Sequence, residues 1–133
     1  MEIAEVVAIG PAHAERLSAA GVATTEDLVE RAASRSGRHR LAISTGIRES
    51  LLLRWANHVD LMAIDGIGED YARLLEAAGV SCADELARRD PRHLSESLAD
   101  LIASRITMRR VPEPAEIAGW IEEASRRTGR VEQ

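Results

Sequence analysis

A chain of 133 residues is long enough for one domain, or for two half-domains that share a core. Its formal net charge of −5 argues against indiscriminate coating of nucleic acid, and its lone cysteine, Cys82, excludes an internal disulfide and a cysteine-rich zinc site. Phe is absent and the only large aromatics are Trp55, Trp120 and Tyr71, so the 45% of hydrophobic residues must build a core of Ala, Leu, Ile and Val. Closely packed helices suit such a core. Ala, Leu, Glu and Arg dominate the long segments and runs of alternating β-branched residues are missing, which makes the expected fold class all-α. All 17 basic residues are Arg, a bias that a GC-rich genome produces without selection for phosphate binding.

The chain opens with Glu2 and Glu5 and lacks the basic start and long apolar run of a secretory signal; no stretch approaches membrane-spanning length. A cytoplasmic protein with no membrane contact is the simplest expectation. A short apolar helix then ends in a tight turn at Val7-Ala8-Ile9-Gly10. The next helix carries Ala14, Leu17 and Ala20 at helical spacing and stops at Gly21. Thr24 with Asp27 reads as a capping box that opens a third helix, Asp standing in for Glu. A short helix around His39 to Ser44 stops at Gly46, and a longer one from about Arg48 to Met62 puts Leu51, Trp55 and Val59 on one stripe.

The same order then repeats. A shift of 58 residues aligns Ile9–Leu28 with Ile67–Leu86 and leaves nine identical pairs in a window of twenty, among them Gly10 with Gly68, Leu17 with Leu75, and Gly21 with Gly79. The second turn is Asp65-Gly66-Ile67-Gly68, its following helix carries Ala72, Leu75 and Ala78, and Ser81 with Asp84 reads as the second capping box. Asp90-Pro91 reads as N-cap and first helical residue of a helix to about Ser104. A linker with Pro112 and Pro114 precedes a last helix carrying Ile117, Trp120 and Ile121. Both tryptophans have apolar neighbours at helical spacing and are expected in the core. The division expected is residues 1–62, residues 63–127 and a flexible C-terminal tail of 128–133, the two repeats sharing one core.

The pattern Ile64-Asp65-Gly66-Ile67-Gly68, followed by Ala72 and Leu75, resembles the helix-hairpin-helix motif of DNA-repair and recombination proteins. Both halves together, including Thr45-Gly46-Ile47 before the helix with Leu51 and Trp55, resemble a bacterial family of tandem helix-hairpin-helix domains, the DUF4332 family. The resemblance covers roughly Ile3 to Arg127. It implies fold much more strongly than function. In DNA-binding members of the wider superfamily, backbone N–H groups at the hairpin and the next helix N-terminus grip phosphates without reading sequence, as orphan amides and a helix dipole allow. By that resemblance Ile9, Gly10, Pro11 and Ala12 form the anion site of the first copy, with His13 and Arg16 beside it. Ile67, Gly68, Glu69 and Asp70 occupy the same places in the second, and by the same resemblance the carbonyls of a hairpin are an option for a monovalent cation.

Two departures bear on this. Pro11 removes an amide donor, and Asp65, Glu69 and Asp70 put three carboxylates where a phosphate would sit, so the second hairpin (Gly66, Ile67, Gly68, Glu69, Asp70) reads as structural or partner-binding. Positive charge gathers instead at Arg31, Arg35, Arg38 and Arg40 with His39, a ten-residue window without an acid, and at Arg105, Arg109 and Arg110. Brought together, these clusters would make a phosphate-contacting face; left apart, they are solvated loops and helix ends. The segment from Arg40 to Trp55, with Arg48, Ser50 and Arg54, also has the shape of a helix-turn-helix, but the family resemblance explains it as packing.

Chemistry for catalysis is sparse. His13, His39, His58 and His93 are scattered, His58 with Asp60 is too short a constellation for a metal, and Cys82 has no histidine assigned to it. The expectation is therefore a non-catalytic module without metal or cofactor that binds the nucleic-acid phosphate backbone, DNA included, without sequence specificity. Its tentative contacts are Ile9, Gly10, Ala12, His13, Arg16, Arg35, Arg38 and Arg40. The alternative is a protein–protein adaptor on the same fold.

Overall fold

Capping chemistry sets most of the helix boundaries. The computed structural model describes residues 1–104 and 110–133, and among these the chain is all-helical. After a 3-10 turn at Ile3–Glu5 come α1 (Pro11–Ala19), α2 (Thr25–Ala32), α3 (Arg35–Thr45), α4 (Glu49–Met62), α5 (Gly68–Ala77), α6 (Ala83–Ala87), α7 (Pro91–Ser104) and α8 (Pro114–Ser125). Thr24 caps α2 by accepting the Asp27 N–H at 3.1 Å, while the Asp27 carboxylate accepts the Ala23 and Thr24 N–H groups. These bonds hold the Asp27 carboxyl below the usual carboxylate range.

The second box is shifted by one residue from the expected Ser81 with Asp84. Cys82 is the N-cap of α6, and Glu85 reaches back to the N–H and hydroxyl of Ser81 at 2.8 and 2.7 Å. The 58-residue offset explains the shift, since it carries Thr24 onto Cys82 and Asp27 onto Glu85. The helix expected around His39 begins earlier, at Arg35, because Ser34 accepts the Gly37 N–H at 3.0 Å. Gly46 ends it with φ 74°. Asp90 caps α7 through the His93 N–H at 2.9 Å, with Pro91 opening the helix as expected.

The chain divides into two compact units: Met1–Asp60 with Gly129–Gln133, and Leu61–Thr128. In the first, Ile3, Val6, Ile9, Leu17, Val22, Leu28, Leu41, Leu52 and Trp55 are buried, and α3 packs on α1 and α2. In the second, Leu61, Ile64, Leu74, Leu75, Leu86, Leu94, Leu98, Ile117 and Trp120 form one cluster in which α8 packs on α6 and α7. Aliphatic side chains of this kind each contribute roughly 1.5–3 kcal/mol on full burial.

The last residues differ from the expected flexible tail. Val131 is buried, the Glu132 N–H donates to the Ala33 carbonyl at 2.7 Å, and Gln133 pairs with Asn57, so residues 129–133 complete the first unit. No helix among the described residues is long and apolar enough to cross a membrane.

Candidate functional site

The turn that closes each hairpin begins with the same bond. The Ile9 N–H donates to the Val6 carbonyl at 3.1 Å in the first unit, and the Ile67 N–H to the Ile64 carbonyl at 3.0 Å in the second. In the first hairpin the Gly10 N–H also returns to Val6, at 3.3 Å, and the Ala14 N–H to Gly10, at 3.0 Å. Two of the amides expected to face a phosphate, those of Ile9 and Gly10, are therefore spent inside the turn, and Ile9 is buried. Helix geometry leaves the N–H groups of Ala12 and His13 as the orphan donors of α1, Pro11 having none. Arg16 is exposed on the same helix.

His13 lies between the hairpin and the core. Its Nδ1 is 3.3 Å from the Ile9 carbonyl, and its ring meets Trp55 edge-on with centroids 4.9 Å apart. The residue 58 places on, Tyr71, also meets a tryptophan, Trp120, with the rings tilted and their centroids 5.5 Å apart. This recurrence assigns His13 a packing role.

The arginine cluster does not present the face expected of it. Arg31 donates to the Ala20 carbonyl at 3.3 Å, closing the C-terminus of α1, and Arg35 donates through Nε to the Gln133 carbonyl. Arg38 is 3% exposed and donates to the carbonyls of Ala32 and Ala33 at 2.8 and 3.2 Å. Burial presses its pKa below the usual arginine value, and the nearby Glu132 opposes that. His39 pairs with Glu49 at 3.1 Å. Arg40 is exposed. Of the second cluster Arg105 and Arg109 lie outside the described residues, and Arg110 makes a two-pronged bond to Glu116 at 2.6 and 2.9 Å.

The second hairpin instead borders a groove of about 550 Å³. It is lined by the turn from Ala63 to Gly66, by Ala115, Gly119 and Trp120 of α8, and by Glu116, Glu123 and Arg126. Gly66 takes φ 91°, and a Cβ on it would stand 3.0 Å from the Trp120 indole nitrogen, so only glycine lets the turn lie this close to the ring. The Tyr71 hydroxyl donates to the Arg110 carbonyl at 2.8 Å and buried Ser95 donates to the Pro112 carbonyl at 2.9 Å, which fixes the approach to α8. Glu116 then accepts both Arg110 and the Glu113 N–H, and its carboxyl is pulled down to about 2. Glu69 and Asp70, expected at the mouth of an anion site, start α5, with Asp70 paired to Arg73 at 2.8 Å.

Neither Trp120 as a groove-lining residue nor Gly37 was singled out from the sequence. A Cβ on Gly37 would meet the Arg31 carbonyl oxygen at 2.4 Å, so α3 packs on the end of α2 through a backbone contact that no local pattern announces. One signal was readable: the 58-residue shift continues to Arg31 and Arg89, and Arg89 closes α5 through the Ala78 carbonyl as Arg31 closes α1. Cys82 is buried, which pushes its thiol above the usual range and away from a reactive thiolate. Among the described residues, no group of three or more His, Cys, Asp or Glu side chains is placed to hold a metal ion.

Comparison with known proteins adds the family. No curated protein and no solved structure matches the chain. Residues 7–127, which run from the turn before α1 to the end of α8, match the family described as Domain of unknown function (DUF4332), and the chain belongs to the DUF4332 family.

Proposed function

We propose that the chain is a non-catalytic tandem helix-hairpin-helix module that docks a protein partner in the Trp120 groove. The tandem reading is supported by features that recur at the 58-residue offset: glycine at the end of α1 and α5 with φ 92° and 87°, the Arg31 and Arg89 caps, and a ring at His13 and Tyr71 that in each unit touches a tryptophan. The choice of partner rests on one observation, the direction of the guanidinium groups. Arg31, Arg35 and Arg38 donate to carbonyls of their own chain and Arg110 to a carboxylate. A phosphate-binding face needs cations free to replace counterions. The groove offers the opposite character: Glu116 is paired with Arg110 and Glu123 with Arg126 and Arg127, and the Asp65 carboxylate beside Trp120 and Ala115 suits a partner segment with an apolar side chain next to a basic one.

Two measurements separate this from the nucleic-acid reading. Duplex DNA titrated at two salt concentrations is expected to show no more than weak background binding at the lower salt, where an electrostatic backbone binder is strongest. Steep salt-dependent binding, weakened alike for all sequences by Arg16→Ala with Arg40→Ala, would restore the nucleic-acid assignment. In parallel, a partner retained by the parent and by Arg40→Ala is expected to be lost by Gly119→Arg. A Cβ at Gly119 meets no other atom within 4 Å, and Gly119 lines the groove, so the added side chain is expected to occupy it; an unchanged thermal melt checks that the fold is kept.

A further inference from the structure

The first unit is completed by five residues that follow the whole of the second. Their contacts are specific in chemistry as well as position. The Glu132 N–H donates to the Ala33 carbonyl at 2.7 Å, and the Glu132 carboxylate accepts the Arg35 N–H at 2.8 Å, at the first residue of α3, where the helix favours negative charge. The side-chain amides of Asn57 and Gln133 exchange two hydrogen bonds, each 3.0 Å long, which requires a group that both donates and accepts. Val131 is 5% exposed, and Arg35 Nε reaches the Gln133 carbonyl at 3.3 Å.

The second unit turns the equivalent corner without such a donor. There Asp90 and Pro91 stand where the first unit has Ser34 and Arg35, and a proline at the first helical position has no N–H to offer. The free donor at Arg35, the carbonyl at Ala33 and the amide of Asn57 therefore form a recognition surface particular to the first unit.

We propose that this surface is a binding site for short linear peptides in which an apolar residue, a glutamate and a glutamine follow one another, filled in this structure by the chain's own Val131, Glu132 and Gln133. The chain's own segment has the advantage of tethering. An attached ligand on a short linker acts at an effective concentration on the order of millimolar, so a free peptide competes poorly until the segment is released. Gly129, the first residue of the segment, takes φ 81°, a conformation open to glycine.

The test uses the full chain and a labelled peptide of sequence Thr-Gly-Arg-Val-Glu-Gln. Val131→Asp should release the segment and bind the peptide at least ~tenfold more tightly than the parent does. Adding Asn57→Ala, or ending the peptide in Glu in place of Gln, should remove that gain. If Val131→Asp fails to fold, Glu132→Ala with Gln133→Ala serves in its place, since both residues are exposed and their loss removes the side-chain bonds to Arg35 and Asn57 while Val131 stays in place. A folded variant of either kind that binds no better than the parent would overturn the proposal, as would a gain indifferent to Asn57 and to the terminal amide. Gly119→Arg should leave the peptide result unchanged, which keeps this test distinct from that of the groove.

Discussion

At the first hairpin Val7 is 68% exposed and Ala8 follows it; at the second, the same two places hold exposed Asp65 and Gly66. Behind these tips the scaffold is constant. Ile9 and Ile67 are buried, Leu17 and Leu75 are fully buried, and an aromatic ring one helical turn into α1 or α5 leans on the tryptophan of the unit's last helix. The contrast teaches which positions the turn needs and which it leaves to function. Positions that pair backbone groups or pack inward are held alike, whereas the two residues pointing outward carry an apolar surface in one copy and a carboxylate in the other.

The sharpest way to break the comparison is to exchange residues between the tips. Gly66→Ala is expected to cost about 2–3 kcal/mol, since it forces a side chain into positive φ and against the Trp120 indole. The reciprocal Ala8→Gly should cost less than about 1 kcal/mol, because no residue other than glycine has positive φ among the described residues and Ala8 is already at ease. Chemical denaturation of both variants checks this, and equal losses would mean that the two turns are not built differently.

A smaller effect is expected at the helix caps. Thr24→Ala removes a side-chain acceptor from α2 and should cost about 1 kcal/mol. Cys82, at the equivalent place, makes no side-chain cap bond, so Cys82→Thr should be neutral or stabilise by a few tenths of a kcal/mol. Thermal melts of the two variants are the measurement; a large loss in Cys82→Thr would show that the thiol's packing outweighs the cap.

The smallest effect is electrostatic and belongs to the second unit. The Glu116 carboxyl, held near 2 by Arg110 and the Glu113 N–H, should be followed by carbon NMR through an acid titration. Because its pKa is depressed in the folded chain, whatever stability it adds is present above the ordinary glutamate range and disappears as the pH falls towards 2. Arg110→Gln should move the midpoint upward toward the ordinary value of about 4.3. An unchanged midpoint would mean that the pair does not form in solution.

Much of the local architecture was legible in the residues. The missing Phe, the helix formers and the spacing of Leu17, Leu75 and their neighbours implied an all-helical chain; Thr24 with Asp27, Asp90 with Pro91, and Gly46 marked boundaries that the structure keeps. These are short-range effects, in which one side chain satisfies an amide three residues away. What a side chain does across the fold was not legible. Arg35, Arg38 and Arg40 are adjacent exposed cations on paper, yet in space Arg38 is buried against two carbonyls and Arg35 holds the last residues of the chain.

The sequence by itself determined that the chain is helical and where several of its helices start and stop, because capping and periodicity act within a few residues. Only the tertiary structure decided that Gly37 must lie against the Arg31 carbonyl, that Gly66 must clear Trp120, and that residues 129–133 belong to the first unit rather than to a tail. Those outcomes depend on which surfaces meet when distant segments pack. A guanidinium, a glycine or a glutamine carries no record of its distant neighbour until the chain has closed around it.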